Sequence, residues 1–420
     1  MQGSLFNNVI DTSCLGCGLN TKVKTPQMKP YGNFKKGILN IGEAPGEQED
    51  ATGKPFQGRA GQALQKAYAE VDIDLFEDCL NINAVNCRTM DDNGNNRTPT
   101  SKEIAYCRNR VFNCIRMHKP KIIVLLGNSA VQSVFGDRWK KNLGTITKWR
   151  GWTIPDRELN AWICPTLHPS YIIRQEDAPE VETVWLQDLE RIAGLITTPF
   201  PKFENESKYV KIIPKLEIVN ILNKLMGSDN IFIDIETTGL KPYNKDQHKI
   251  VCISICNSEN NVYVLPAPDT DEEINALKDL LENPNVGKMA HNMKYEDTWL
   301  NVIYGISVNP WIWDSMIAAH ILDNRTEISS LKFQVYVNFG VVDYDSAIEK
   351  YLHSTDDKNA NSTNRVMELV VNPIKRKELF TYCGLDSLFG YRLAMRQMKL
   401  IGFGGQLPHP IEGGACKSSS

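Results

Sequence analysis

Residues 37–46 read GILNIGEAPG, a short apolar stretch that runs into a turn rich in glycine and proline. The pattern recurs at 121–127, KIIVLLG, which precedes the helix-like sequence NSAVQSVFG, and at 161–170, AWICPTLHPS. A weaker strand candidate, CLNINAVN, occupies 79–86. Short apolar strands that alternate with turns and helices are typical of α/β folds. The first half of the chain is therefore predicted to form an α/β layer.

Polar side chains stand at the ends of three of these predicted strands, namely Glu43, Asn83 and His168. If the strands lie parallel, their carboxyl ends meet at one edge of the sheet. Open α/β sheets bind their ligands at that edge. We therefore expect the three side chains to line a common binding site.

The chain has 420 residues, more than the roughly 250 to 300 at which a single hydrophobic core stops growing. A helix-like stretch, VETVWLQDLERIAGL, closes the first half near residue 195, and the TTPFPKFENESK that follows is rich in proline and polar residues. Such a composition is typical of a linker. We predict a first domain over 1–198, a linker over 199–212, a second domain over 213–404 and a disordered tail over 405–420.

The second half begins with a strand candidate, NIFIDIETTGL, at 230–240. The stretch IVCISICNSENNVYVLP at 250–266 has strand-like composition, and we expect it to form a hairpin or a meander. Helical patterns follow at roughly 271–283, 313–323 and 376–400. The second domain is thus predicted to combine a sheet with several helices.

Charge and composition limit the classes of partner. The 47 Lys and Arg residues against 50 Asp and Glu give a formal net charge of −3, so any DNA contact must come from local basic patches. Candidate patches lie at 22–36, 108–121 and 138–150, although such charge runs are more often solvated faces. No apolar run of about 18 residues and no signal pattern occur, which predicts neither membrane contact nor secretion.

The chain contains 11 cysteines, an odd number in a large globular sequence. This usage is typical of reduced thiols and predicts a cytoplasmic protein. Cys14 and Cys17 form a CxxC motif, and Cys87 and Cys107 follow at long spacing. Four thiolates satisfy either zinc or an iron-sulfur cluster, and their spacing alone does not choose between the two.

Alternation along the strand FIDIETTGL places Asp234 and Glu236 on the same face. Paired carboxylates repel each other unless cations bind between them, and a hard divalent metal ion is the expected partner. Further carboxylates follow in AHNMKYEDTWL, as Glu296 or Asp297, and in TYCGLDS, as Asp386. Two such metal ions can drive the in-line hydrolysis of a phosphodiester.

The first half of the chain resembles the family-4 uracil-DNA glycosylases over roughly residues 10–195. The shared motifs occur in family order as CLGC, YGNFKKGILNIGEAPGEQED, GKPFQGRAG, NAVNCR, LLGNSAVQSVFG, RGW and LHPSYIIR. The resemblance implies a three-layer α/β/α sandwich with a parallel central sheet. It also implies a structural [4Fe-4S] cluster with four cysteine ligands, Cys14, Cys17, Cys87 and Cys107.

The resemblance also assigns roles in base excision, which requires gripping the flipped base and stabilising a uracil anion. Phe56 would stack on uracil, Asn83 would read its polar edge, and His168 would donate to the developing oxyanion. Glu43 or Glu49 would position water or stabilise positive charge on the sugar.

Four further residues are implied by the same family likeness. Gly42 and Ala44 would line the uracil site, and Ala44 stands where the best-known uracil glycosylases place a water-activating Asp. Tyr171 and Arg174 lie where the family has its DNA-intercalating loop. We assign the water-activating role to Glu43.

The second half resembles the DEDDy 3′-to-5′ exonucleases, specifically the proofreading domain of family A DNA polymerases, over roughly 215–402. The resemblance implies a ribonuclease H-like fold with a mixed sheet and two Mg²⁺ or Mn²⁺ ions. Tyr382, four residues before Asp386, would orient the attacking water. The family places Asp directly after the aromatic residue of its middle motif, whereas Tyr295 is followed by Glu296 and then Asp297. By register, the ligand set comprises Asp234, Glu236, Glu296 and Asp386, with Asp297 as the fallback.

Together the two resemblances predict a bifunctional DNA enzyme that excises uracil and removes 3′-terminal nucleotides. Its substrates would be uracil-containing DNA and 3′-ended single strands, and a DNA polymerase or another replication protein would be a partner. A second reading makes the first domain a DNA-binding or uracil-sensing module at the front of a truncated polymerase, because no palm sequence follows. A third reading gives the nuclease an RNA substrate.

Overall fold

A computed structural model describes residues 12–402, except residues 176, 245–246, 343, 355, 357–358 and 360. The tail predicted to be disordered, 405–420, lies outside the described residues. The chain forms two compact units. Among the described residues, the first unit lies within 12–203 and 336–342, and the second within 204–335 and 344–402.

The first unit is built on a sheet with the strand order β2-β1-β3-β5-β4. Its strands are β1 (Ile38–Gly42), β2 (Cys79–Asn83), β3 (Ile122–Leu126), β4 (Ile154–Asp156) and β5 (Ala161–Thr166). Strands β2, β1, β3 and β5 are mutually parallel, and β4 joins the edge antiparallel to β5. The predicted parallel arrangement is therefore confirmed.

Helices flank this sheet in the first unit. They are α1 (Thr12–Cys17), α2 (Glu47–Thr52), α3 (Arg59–Ala69), α4 (Ser101–His118), α5 (Asn128–Phe135), α6 (Ile146–Trp149), α7 (Pro169–Ile173) and α8 (Pro179–Gly194). Every residue of β1, β2 and β3 is buried, as expected for strands covered on both faces. The predicted α/β/α layering is confirmed.

The second unit has a mixed sheet with the order β11-β10-β7-β8-β9-β6. Its strands are β6 (Val210–Ile212), β7 (Asn230–Thr237), β8 (Ile250–Ser258), β9 (Asn261–Pro266), β10 (Gly287–Ala290) and β11 (Trp311–Asp314). Strands β7, β8 and β9 form an antiparallel meander, whereas β10 and β6 pair in parallel at either side. The expected meander and the mixed sheet are confirmed.

Part of the segment predicted as a linker has regular structure. A 3₁₀ helix spans Glu206–Tyr209, and strand β6 then pairs with β9 through Val210↔Val262 and Ile212↔Val264. The edge of β9 offers free backbone groups that an extended neighbour can satisfy. The ordered part of the second unit thus begins before residue 213.

The helices of the second half of the chain are α9 (Ile218–Leu225), α10 (Asp271–Leu281), α11 (Met293–Tyr304), α12 (Ser315–Leu322), α13 (Leu331–Phe339), α14 (Glu349–Leu352), α15 (Val366–Val370) and α16 (Pro373–Ile401). All of them belong to the second unit except α13, of which residues 331–335 belong to the second unit and residues 336–339 to the first. Helix α16 lies close against the sheet, because a side chain at Gly390 would collide with the Phe232 ring. Within the described residues, no helix has the length and apolar character needed to cross a membrane.

Candidate active sites

The carboxyl ends of β1 and β2 form the floor of the first candidate site. Gly42 pairs with Asn83 across the two strands. A β-carbon at Gly42 would collide with Asn83 Oδ1 and would lie 2.9 Å from the Phe56 ring. The amide of Asn83 and the ring of Phe56 therefore converge over a position that only glycine leaves open.

Phe56 is held by its backbone as well as by packing. Its φ angle is 58°, in the left-handed region that non-glycine residues rarely adopt, and its side chain is buried. The start of α3 lies close to the backbone of Phe56, because a β-carbon at Gly61 would collide with the Phe56 carbonyl. The predicted stacking residue thus has a single well-defined placement.

The Glu49 carboxylate is bonded to backbone N–H groups of the protein. Its Oε1 accepts hydrogen bonds from the backbone N–H groups of Gln57 (3.1 Å) and Gly58 (2.9 Å), and its Oε2 accepts from Gly46 N–H (3.0 Å). These bonds tie the start of α2 to the segment that carries Phe56. The contacts favour a positioning role for Glu49 over the catalytic role predicted as an alternative to Glu43.

His168 caps the N-terminus of α7, and the contacts of its ring define its proton state. Its Nδ1 accepts a hydrogen bond from Ser170 N–H (3.2 Å) and lies 2.7 Å from Ser170 Oγ. An N–H donor needs a lone pair on Nδ1, so the neutral ring carries its proton on Nε2. Burial, together with the charge of Arg174, lowers the pKa of His168 to about 4. Nε2–H is consequently a neutral donor.

Glu43 follows β1, which β3 separates from β5 and His168 in the sheet, and its Oε2 accepts a hydrogen bond from Ser129 Oγ at 2.9 Å. Burial raises the pKa of Glu43, while Ser129 and the charge of Arg174 oppose that rise. Arg174 therefore sits near both Glu43 and His168. Tyr171 is 39% exposed on α7, as expected for a residue that contacts a macromolecule. Sequence reasoning missed Ser129, which only the packing of α5 brings to the site.

The four predicted ligand cysteines meet in one small cavity. Cys14, Cys17, Cys87 and Cys107 line it together with Leu19, Asn20 and Tyr106. Gln27 N–H donates to Cys87 Sγ (3.2 Å), and burial raises the pKa of Cys107 to about 12. Ala44, predicted in the uracil site, packs against this cluster of apolar and cysteine side chains.

The chemistry of this cavity fits a metal centre with cysteine ligands. Four thiols from three separate segments line it, and four thiolates satisfy either zinc or an iron-sulfur cluster.

The second candidate site begins on β7, where Asp234 and Glu236 share one face as predicted. Their carboxylate oxygens and Cys383 Sγ all lie within 4.8 Å of one another. Burial raises the pKa of Asp234 well above its usual range, and the charge of Asp386 raises it further. Burial and the charge of Asp234 likewise raise the pKa of Glu236. Such mutual repulsion is relieved when a cation binds.

Helix α16 carries Tyr382 and Asp386 one turn apart, on the same face. Asp386 Oδ1 accepts from Lys332 Nζ at 2.6 Å and from the hydroxyl of Tyr344. The Lys332 ammonium lies 3.7 Å from the centroid of the Tyr344 ring and 4.1 Å from that of the Tyr382 ring. Sequence reasoning missed Lys332 and Tyr344, because each lies more than 40 residues from Asp386 and belongs to no local motif.

The choice between Glu296 and Asp297 has a structural basis. Glu296 is 3% exposed, and its Oε2 is buried with no hydrogen-bond partner among the described residues. Burial and the charge of Asp234 raise its pKa well above the usual range. Asp297 Oδ1, in contrast, accepts a hydrogen bond from Trp311 Nε1 at 3.0 Å. The contacts favour Glu296 as the ligand and give Asp297 a structural role.

One further carboxylate organises this site without belonging to it. Asp314 accepts hydrogen bonds from the N–H groups of Asn292 and Met293 at the start of α11, and from Met316 and Ile317 at the start of α12. Because α11 carries Glu296, this cap sets the position of that side chain. The sequence contains no signal for this role beyond an Asp at a strand end.

Each half of the chain matches a known protein family. Residues 29–190 match the uracil DNA glycosylase superfamily, and residues 209–401 match the 3′-5′ exonuclease of the DNA polymerase A type. The type-4 uracil-DNA glycosylase of Thermotoga maritima is 38% identical over 183 residues, which cover 44% of this chain and 89% of the relative. That of Sulfurisphaera tokodaii is 34% identical over 192 residues, covering 44% of this chain and 82% of the relative.

A third relative spans both parts of the chain. A DNA polymerase of Bacillus phage SP01 is 28% identical over 372 residues, which cover 80% of this chain and 38% of the relative. Since 80% of the chain exceeds the span of either family match, this similarity extends over both domains. The chain therefore belongs, through its first domain, to the type-4 uracil-DNA glycosylases, and it joins to that domain a 3′-5′ exonuclease domain of the DNA polymerase A type.

Proposed function

We infer that this protein is a DNA hydrolase with two activities. The first domain excises uracil by hydrolysing the N-glycosidic bond, and the second removes 3′-terminal nucleotides by hydrolysing phosphodiesters. The observation that carries the inference is that each unit assembles its own set of reactive groups. In the first, Asn83 and Phe56 converge on Gly42, and in the second, Glu236 and Cys383 lie close to Asp234.

Four side chains support the proposal of uracil excision. The Phe56 ring stacks on the extruded base, and the Asn83 amide pairs with its polar edge, which distinguishes uracil from cytosine. The His168 Nε2–H donates to the uracil oxygen that gains negative charge as the bond breaks. Glu43, in its carboxylate form, attracts the attacking water and stabilises positive charge on the sugar.

The exonuclease reaction follows from the carboxylates of the second unit. Asp234, Glu236, Glu296 and Asp386 would hold two divalent cations, Mg²⁺ or Mn²⁺. When bound, these ions supply an activated water and stabilise the leaving 3′ oxygen. Tyr382 lies one helical turn from Asp386, and its hydroxyl orients the water. The buried, unpaired Oε2 of Glu296 supports this ligand set.

A [4Fe-4S] cluster is the group that the four cysteines of the first unit would hold. The cysteines come from α1, from the loop after β2 and from α4, which are distant in sequence. A cluster bound there would cross-link these segments and would stabilise the fold next to Ala44. We assign it a structural role, because His168 and Glu43 supply the groups that excision needs.

The proposal also covers the DNA contacts, the domain limits and the partner of the protein. Tyr171 and Arg174 would contact DNA beside the uracil pocket, and single strands with 3′ ends would reach the second site. The domain limits that we propose are 1–198 and 213–404, with β6 added to the second. A replicative polymerase is the proposed partner, in the cytoplasm of a bacterium or of a phage-infected cell.

A single DNA substrate tests both activities. A 5′-labelled oligonucleotide with one internal uracil is incubated with anaerobically purified protein, either in EDTA or with Mg²⁺, and is then treated with alkali. We expect cleavage at uracil under both conditions and a ladder of shortened 3′ ends only with Mg²⁺. The variant His168→Ala should lose only the first product, and Asp234→Ala with Glu236→Ala only the second. A ladder without alkali-labile uracil sites would reduce the first domain to a DNA-binding module.

A further inference from the structure

A sulfur atom lies inside the carboxylate site of the second unit. Cys383 Sγ donates to Asp234 Oδ2 at 3.6 Å, and Sγ lies within 4.8 Å of the carboxylate oxygens of both Asp234 and Glu236. Cys383 is fully buried on α16, three residues before Asp386, so the two side chains share a face of the helix. These three side chains form the only group of potential metal ligands with this spacing in the described part of the chain.

A second observation shows that this space is built for a ligand. Glu296 is buried beside Asp234, and its Oε2 has no partner among the described side chains and backbone groups. A buried carboxylate oxygen without a partner is costly and calls for a cation. Strand β7, α11 and α16 therefore bring carboxylates together with the Cys383 thiol, which itself lies next to the Cys252 thiol.

This mixture of donors discriminates among divalent cations. Mg²⁺ takes oxygen ligands in near-octahedral geometry and has little affinity for sulfur. Zn²⁺ and Cd²⁺ accept thiolate and carboxylate together. A sulfur beside Asp234 thus favours soft cations at a place where the nuclease reaction needs a hard one.

We propose that Cys383 is a direct ligand for a thiophilic divalent cation held between Asp234 and Glu236, and that this cation displaces the catalytic metal. The inference rests on the proposed exonuclease function of the same site. As the sulfur–metal bond forms, the thiol proton passes to solvent, and no electron is transferred. Nuclease activity in Mg²⁺ should then be inhibited by low concentrations of Zn²⁺ or Cd²⁺.

Cadmium provides a readout that does not depend on activity. The full-length protein, purified anaerobically and freed of loosely bound divalent ions, is titrated with Cd²⁺ by calorimetry and by ultraviolet thiolate-to-cadmium absorption. We compare wild type with Cys383→Ser, Cys383→Ala and the matched control Cys256→Ser. Cys256 is fully buried on β8, and its Sγ donates to Ser258 O instead.

Both Cys383 variants should lose the cadmium–sulfur absorption that wild type and Cys256→Ser show beyond the contribution of the four cysteines of the first unit, and should lose at least about tenfold in affinity at this site. Equal affinity and absorption in wild type and the Cys383 variants would overturn the proposal, as would the absence of Cd²⁺ binding in wild type. If neither Cys383 variant folds, ¹¹³Cd NMR of wild type decides, because sulfur and oxygen ligands give well-separated resonances.

The two hypotheses can fail separately. If wild type lacks Mg²⁺-dependent nuclease activity but keeps a Cys383-dependent cadmium signal, the exonuclease assignment fails and the sulfur site stands. The reverse outcome is an active nuclease in Mg²⁺ together with equal inhibition of wild type and the Cys383 variants by Cd²⁺. In that case the proposal that Cys383 is a metal ligand fails and the exonuclease assignment stands.

Discussion

His168 shows how a short stretch of backbone sets the chemistry of one residue. The ring caps α7 and accepts from Ser170 N–H, so its proton resides on Nε2. A neutral imidazole donor is suited to stabilising a uracil anion without competing for protons at physiological pH. The proposed role of His168 therefore depends on its tautomer and not on a positive charge.

The pH dependence of uracil release tests this assignment. Because the folded pKa of His168, about 4, lies below its ordinary value of 6.5, the ring stays neutral until the pH falls toward 4. We expect single-turnover uracil release to show no step caused by His168 between about pH 5 and 8. His168→Ala should slow release on the order of 100- to 1000-fold. A step near pH 6.5 that disappears in His168→Gln would contradict the assignment.

Two adjacent acidic residues of α11 provide a matched pair of substitutions. Glu296→Gln should lower Mg²⁺-dependent nuclease activity at least on the order of 100-fold, since it removes a charge from the metal site. Asp297→Asn should leave the nuclease active and cost about 1 kcal/mol of unfolding free energy, because it weakens the bond from Trp311. Nuclease assays and urea denaturation measure the two effects. The opposite ranking would make Asp297 the ligand.

At the scale of elements, the uracil pocket depends on how closely β1 approaches the residues above its end. Gly42→Ala places a methyl group against Asn83 Oδ1 and the Phe56 ring. We expect this variant to fold, to keep nuclease activity and to lose at least about tenfold in uracil release, because a misplacement of about 1 Å is costly in an active site.

The control for this change is Gly194→Ala on α8. Nothing lies within 4 Å of the methyl group that it introduces, and alanine stabilises a helix by up to about 1 kcal/mol relative to glycine. Uracil release by this variant should match that of wild type. Equal losses in both variants would show that Gly42 contributes only general stability.

The elements themselves were largely predictable from the sequence. Apolar runs that end in turns located β1, β3 and β5, and the alternation in FIDIETTGL placed Asp234 and Glu236 on one face. The ends of parallel strands brought Asn83 and His168 to one edge. Local periodicity carries this information, because it reflects which face of an element is buried.

What escaped prediction depends on pairs that are distant in sequence. Lys332 reaches Asp386 across 54 residues, and Cys383 reaches Asp234 across 149. The role of Glu49 was ambiguous for another reason, since a carboxylate that binds backbone N–H groups looks the same in sequence as one that faces a substrate. Only tertiary contacts separate these cases.

At the scale of the whole molecule, each unit has its own hydrophobic core, and the cysteine cavity belongs to the first alone. Cys107→Ser should therefore lower the iron content, the melting temperature and uracil release, and should leave Mg²⁺-dependent nuclease activity intact. Iron analysis, calorimetry and the two assays measure these effects. Cys114→Ser, on the same helix but outside the cavity, is the control and should keep its iron. Loss of nuclease activity in Cys107→Ser would contradict the independence of the two units.

The backbone geometry of Phe56 has a consequence for the order of events on DNA. Because the left-handed backbone of Phe56 and the close start of α3 hold the ring in place, its stacking face is formed before any base arrives. The ring then has no need to move as the base enters. The slow and selective step is then the opening of the base pair in the nucleic acid. Uracil opposite guanine, in a weaker pair, should be captured sooner than uracil opposite adenine.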